Sequence, residues 1–191
     1  MDGLSDHPHP GLELLLGRRS CHKLTAPGPS DAELALILRA AQRVPDFGHL
    51  QPYRFLAARG EGLDRLGQAM QRAAIAAGQS PAIIERTPRM PQRAPLVILV
   101  AACPRPNPTV PAFDQQLCAA STVLTMQLAA RALGYGGVWR SGWLMYDRGF
   151  HRELGLDEQD QLVGFLYLGT PVREEPPVAP PADPFAHLTW L

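Results

Sequence analysis

The chain has 191 residues, with eighteen lysines and arginines against eighteen aspartates and glutamates, so its formal net charge is zero. That length suits one domain with a substantial core, and residues 1–191 read as a single unit. Balanced charge offers neither the basic footprint of a nucleic-acid binder nor a polybasic membrane anchor, and no apolar run approaches the roughly 20 residues of a bilayer span. The opening MDGLSDHPHPG is unlike a signal peptide. Cys21, Cys103 and Cys118 form no Cys-x-x-Cys pair, which points to reduced thiols and a cytoplasmic location. Twenty prolines, about double the usual ~5% share, gather at 88–95, 104–111 and 171–184 and mark loops and a tail.

In chain order, residues 1–9 are expected to be a flexible terminus, and 10–18 a short helix with proline in its first turn. Ser30 and Glu33 spell a capping box for a helix over 30–43, with Leu34, Ile37, Leu38 and Ala41 on one face and Pro45 helping to end it. Residues 53–59 predict a strand, and 61–77 a helix with Leu63, Leu66, Met70 and Ala73 turned inward. The apolar run 96–102 fits a strand buried on both faces. The longest helix, about 112–133, is apolar or small on nearly every side, so it belongs in a core or a subunit interface. Its end, LGYGG, has the form of a glycine C-cap. A strand over 137–142, a short helix over 147–155 and a strand over 161–170 complete the pattern. The proline-rich tail ends on Phe185, Leu188, Trp190 and Leu191, apolar anchors that call for a surface to pack on. Helices and strands around one sheet give an α+β architecture.

The usual catalytic motifs are missing. There is no Gly-x-Ser-x-Gly elbow and no Walker loop, and the histidines supply no pair at metal-site spacing. GYGG (134–137) follows a helix and precedes a strand, the reverse of the Rossmann order. Asp157, Glu158 and Asp160 read as a solvated turn. Three fragments place polar or cationic groups beside an element terminus: GRRS (17–20), VPDFGHLQPYRF (44–55) and GVWRSGW (137–143). Arg18 and Arg19 could be a charged helix cap or the guanidinium forks of a phosphate site. Arg140, inside an apolar strand, requires a partner: an acid such as Asp147, or a ligand.

Taken in order with QLAARALGYGGVWRSG and VGFLYLGTP, these fragments resemble the nitroreductase family of flavin mononucleotide (FMN) enzymes, and within it the compact YdjA-like NAD(P)H nitroreductases. The resemblance runs from about residue 12 to 172. It implies an FMN-binding fold with a mixed central sheet flanked by helices, assembled as an intertwined homodimer with the tail packed on it. It implies that Arg18, Arg19 and Ser20, with Trp139, Arg140 and Ser141, hold the flavin. Arg43 and Phe47 would contact the flavin bound mainly by the other subunit, and Ala129, Ala130, Arg131, Ala132, Leu133 and Gly134 would meet the nicotinamide nucleotide. The implied activity is transfer of hydride from NADH or NADPH through the flavin to a nitroaromatic, a quinone or a similar electron-poor acceptor. A dedicated non-nitro substrate, or flavin binding without turnover, are the readings it competes with. No protein acid, base, nucleophile or metal is required, because the flavin carries the chemistry. Phe47 stands where relatives carry a polar or basic group, and either His22 or Lys23 could approach the ring.

Overall fold

The computed structural model describes residues 9–173 and 183–191. Its helices are α1 (Pro10–Leu16), α2 (Asp31–Ala41), α3 (Glu61–Ala76), α4 (Pro81–Arg86), α5 (Ala112–Ala132) and α6 (Arg148–Glu153). Its strands are β1 (Leu24–Thr25), β2 (Tyr53–Arg59), β3 (Leu96–Ala102), β4 (Gly136–Arg140) and β5 (Gln161–Pro171). β5 pairs with β3 and β4 along its length and with β1 at its last two residues; β2 pairs with β3. The α+β arrangement matches expectation. Strand direction is a correction: every pairing among the described residues is antiparallel rather than mixed. The chain leaves β2 along α3, and α4 with the turns after it lies back on α3. That return brings β3 in at the end where β2 left, so the two strands run opposite ways.

β3 is buried at all seven positions, because helices cover both faces of the sheet. On one face Leu63, Leu66, Met70 and Ala73 of α3 meet Val97, Leu99, Phe165 and Tyr167. On the other, Ile37 and Ala41 of α2 join Val123, Met126 and Ala130 of α5 against Ile98, Val100, Leu166 and Leu168. Each large apolar side chain buried this way contributes about 1.5–3 kcal/mol. The capping box of α2 is present, Ser30 N–H donating to Glu33 at 2.9 Å and Glu33 N–H to the Ser30 hydroxyl at 3.3 Å. α5 closes on a Schellman motif: Tyr135 N–H donates to Ala130 and Gly134 N–H to Arg131, each at 2.9 Å, with Gly134 at φ +87°.

Three regions depart from expectation. The stretch before β3 is not a plain proline loop. It holds α4 and two 3-10 turns, Thr87–Arg89 and Pro91–Arg93, each beginning with a proline in its first turn, where a missing N–H costs nothing. A Cβ on Gly67 would stand 2.2 Å from the Pro88 carbonyl oxygen, so the glycine is what lets this stretch seat on α3. Asp160 is buried, not solvated; its carboxylate accepts the Asp157 N–H at 3.0 Å and closes the turn from within. Phe185, Leu188, Trp190 and Leu191 are exposed, so no surface among the described residues covers the tail anchors. Residues 174–182, like residues 1–8 of the terminus expected to be flexible, lie outside the described residues. No described helix is long and apolar enough to cross a membrane.

Candidate functional site

Between α1, which ends on a helical cap at Gly17, and β1 the chain is pinned from two sides. Cys21 N–H donates to the Gly137 carbonyl at 2.9 Å. The buried Gln127 amide, on α5, donates to the carbonyls of Arg19 at 3.3 Å and Gly137 at 2.9 Å. The lining alternates from residue 19 to 22: Ser20 and His22 line one cleft, of about 420 Å³, and Arg19 and Cys21 another of about 400 Å³, which Arg18 also lines. The motif expected to act as one cradle is a ridge between two.

The first cleft has β4 as one wall and the α4–3-10 stretch as another. β4 and the residues after it supply Trp139, Arg140 and Ser141; the other wall supplies Arg86, Met90 and Arg93, and Tyr167 of β5 also lines the cavity. Arg140 does not pair with Asp147. That carboxylate is taken by helix capping, accepting the Phe150 N–H at 2.6 Å. The Arg140 guanidinium lies instead 5.5 Å from the centroid of the Tyr167 ring, a cation–π contact. Its Nε is buried with no hydrogen-bond partner among the described residues, a deficit that ordinarily costs about 1–3 kcal/mol. Burial pushes the Tyr167 phenol upward in pKa, against the opposing pull of Arg140 and Arg93. No aspartate or glutamate lines this cleft among the described residues. Three guanidinium groups, three hydroxyls and an aromatic and thioether lining suit a flat ligand with anionic or accepting edges.

The second cleft joins two sets of sequence-predicted residues, Arg18 and Arg19 with Arg131 and Gly134. The remaining members of the expected nicotinamide segment do not line it: Ala130 is fully buried in the core, and Ala129 and Leu133 pack against that core. Ala132 is exposed and lines neither cleft. Arg43 and Phe47 also lie away from both clefts. Arg43 is exposed just past α2, and Phe47, 70% exposed, shares a shallow groove with Leu117, Cys118 and Ser121 of α5. His22 lines the first cleft and Lys23 does not. Sequence reasoning missed Arg86, Met90 and Arg93. Their signal was the i, i+4, i+7 spacing in RTPRMPQR, hidden by the prolines that mark loops elsewhere.

Comparison with known proteins gives consistent matches. The nitroreductase family matches residues 15–170. The chain is 41% identical over 180 residues to YdjA of Escherichia coli K12, proposed by name as an NAD(P)H nitroreductase, covering 94% of this chain and 98% of that one. Among solved structures, a nitroreductase-like family protein from Bacillus cereus superposes with a TM-score of 0.77 at 22% identity, covering 94% of each chain. A Desulfovibrio desulfuricans structure, described as a proposed nitroreductase in complex with FMN, superposes with a TM-score of 0.71 at 24% identity, covering 92% of this chain and 94% of that one.

Proposed function

The chain belongs to the nitroreductase family of oxidoreductases, and from that premise we propose that it is an FMN-dependent NAD(P)H oxidoreductase acting on electron-poor acceptors such as nitroaromatics and quinones. The observation that carries the reading is the buried Nε of Arg140, which has no hydrogen-bond partner and no acidic neighbour in the cleft among the described residues. Flavin mononucleotide fits that donor set: its ring edge offers acceptors, its face is aromatic and its phosphate is an anion. The likeness to a structure holding FMN supports the same choice.

When bound, FMN supplies the hydride chemistry itself, taking two electrons from a nicotinamide and passing them on. The chain's own residues bind, orient and tune. Arg140, Ser20 and Ser141 would hold the polar edge, with Trp139 beside them. Positive charge held there favours the charge gained on reduction. Arg18 and Arg19, across the ridge, would take the phosphate, and Arg131 and Gly134, which line the same cleft, would be the members of the 129–134 segment that meet the nucleotide end of the donor. The nicotinamide ring of the donor and the acceptor would take turns against the flavin in the first cleft, which would give ping-pong kinetics.

Two chains would build each site. Leu15 and Leu16 of α1, Leu117 and Leu124 of α5, and Phe185 and Trp190 of the tail are all exposed and would be covered by a second chain. Phe47 lies on that same face of α5, so Phe47 and Arg43 of one protomer would complete the cleft of its partner. The test is direct. The purified protein should be yellow, release on heating a flavin that chromatographs as FMN, and oxidise NADH or NADPH when an acceptor is added. A colourless protein that takes up no added FMN overturns the reading. A yellow protein without turnover leaves a flavin-binding dimer in its place.

A further inference from the structure

The α4–3-10 wall of the first cleft carries two arginines that the flavin reading does not use. Across 86–93, residues at i, i+4 and i+7 place Arg86, Met90 and Arg93 on the cleft. Glu85 and Arg89, also four apart, pair with each other at 3.8 Å. The neighbouring acids on the packed elements are engaged as well: Glu61 with Arg65 at 3.6 Å, Asp64 with Gln92 at 2.7 Å, and Glu153 with Arg72. Arg86 and Arg93 thus have no carboxylate partner among the described residues, although four carboxylates lie on or against the same elements. The wall is held in place. Thr87 Oγ1 donates to the Ile83 carbonyl, Met90 N–H to Thr87 at 3.0 Å, and Pro88 sits against Gly67.

One anionic edge of a bound flavin is answered by Arg140 on the facing wall. Two further guanidinium groups with no acid to neutralise them are more than that edge requires. A second anion entering the cleft would meet both of them. Met90 between them offers a polarisable flat contact suited to an aromatic ring.

We infer that Arg86 and Arg93 form a second anion contact, which takes a negatively charged group carried by the molecule that reacts with the flavin rather than by the flavin itself. The inference rests on the flavin reading above. Two carriers share this chemistry: a carboxylate on an aromatic acceptor, and the 2′-phosphate that distinguishes NADPH from NADH.

The test uses the purified flavin-loaded protein and the double variant Arg86→Gln with Arg93→Gln. Both side chains belong to exposed residues, and an unchanged melting temperature checks the fold. Two probe pairs are titrated by calorimetry on the oxidised protein, 4-nitrobenzoate against the neutral 4-nitrobenzamide and NADP⁺ against NAD⁺. The wild type should prefer the charged member of at least one pair by roughly tenfold, the scale of a charge-assisted contact. The double variant should lose that preference while keeping its full FMN content. Discrimination in the first pair identifies the carboxylate as carrier, and in the second the 2′-phosphate. Equal binding within both pairs in the wild type overturns the inference. So does a preference that survives in the variant, or a variant that loses FMN as readily as Arg140→Ala, which would make these arginines flavin contacts. Failure of the flavin reading looks different, since the wild type would then be colourless and take up no FMN.

Discussion

α3 and α5 lie on opposite faces of one sheet and treat their outer sides in opposite ways. α3 buries Leu63, Leu66, Met70 and Ala73 and turns Asp64, Arg65, Gln68 and Arg72 to water. α5 buries a stripe that includes Gln115, Thr122 and Gln127, and turns Phe113, Leu117 and Leu124 outward at 65%, 51% and 41% exposure. The inward polar groups are satisfied. Gln115 holds the Arg105 and Val110 backbone, Thr122 donates to Ala119, and Gln127 pins the ridge between the clefts. α3 has a polar outer face once it meets the sheet, whereas α5 keeps apolar side chains on its outer face, where the proposed second chain would sit.

The largest effect should come from breaking that difference. Leu117→Arg combined with Leu124→Arg should convert a two-chain particle into single chains and strip the flavin, because interfaces of obligate dimers bury about 2,000–5,000 Å² and their monomers are often unstable. Gln68→Arg, on the outer face of α3, should change neither. Sedimentation and flavin content of the two proteins decide the matter. A double arginine variant that stays a dimer would mean that the outer face of α5 serves something else.

The same contrast explains what could be read in the sequence. α3 and β3 were legible because a single period, helical or continuous, records one burial demand. α5 was legible as unusual, since its apolar residues follow two stripes at once. The 81–93 stretch was not, because the prolines gathered at 88–95 read as loop signals, yet Pro88 and Pro91 each occupy a first turn where the ring is tolerated. Arg140 stood out as a lone cation in an apolar strand, but Asp147 failed as its partner because a nearby helix N-terminus competed for that carboxylate. The splitting of Arg18 and Arg19 from Ser20 depends on how the Cys21–Gly137 and Gln127 bonds hold this segment, long-range contacts that no periodicity announces.

A second prediction sets arginines of the two environments side by side. Arg140 has a buried Nε with no hydrogen-bond partner among the described residues, while Arg72 on α3 is paired with Glu153 at the surface. Arg140→Ala should weaken FMN retention roughly tenfold to a hundredfold, the equivalent of about 1.5–3 kcal/mol. Arg72→Ala should leave FMN affinity unchanged and cost at most about 1 kcal/mol of stability, as exposed pairs do. Equal FMN affinity in both variants would return Arg140 to a purely structural role.

Gln127→Leu tests the inward polar stripe of α5. It keeps the volume but removes the amide that donates to Arg19 and Gly137, and leaves the Arg19 carbonyl in need of another partner. A loss of about 1–3 kcal/mol is expected from denaturant unfolding, with a smaller fall in FMN affinity as the ridge loosens. A variant as stable as the wild type would mean that the Cys21–Gly137 bond alone fixes the ridge.

The smallest effect lies on the α3 side, where α6 and the 3-10 turn Trp143–Met145 support the rim of the first cleft. His151 is buried, accepts at Nδ1 from Arg148 at 3.0 Å and contacts the Met145 carbonyl through Nε2 at 2.9 Å. Arginine can only donate and a carbonyl can only accept, so the ring is neutral with its proton on Nε2. Burial lowers its pKa, the positive charge of Arg148 acts in the same direction, and the Met145 bond with Asp147 and Asp160 opposes both. An unfolded histidine takes up its proton near about pH 6.5, while the folded one resists until lower pH. Stability from this group is therefore complete above about pH 6.5 and declines as the solution is acidified toward the folded value. Protonation of Nδ1 would also replace the Arg148 bond with a clash of cations. The wild type should thus lose more melting temperature between pH 7 and pH 5.5 than His151→Gln does, with a matching change in tryptophan fluorescence from Trp143 at the rim. The difference between the two proteins isolates His151 from the carboxylates that titrate in both. Parallel pH profiles would show that α6 tolerates a charged ring, and that the rim of the cleft does not depend on this contact.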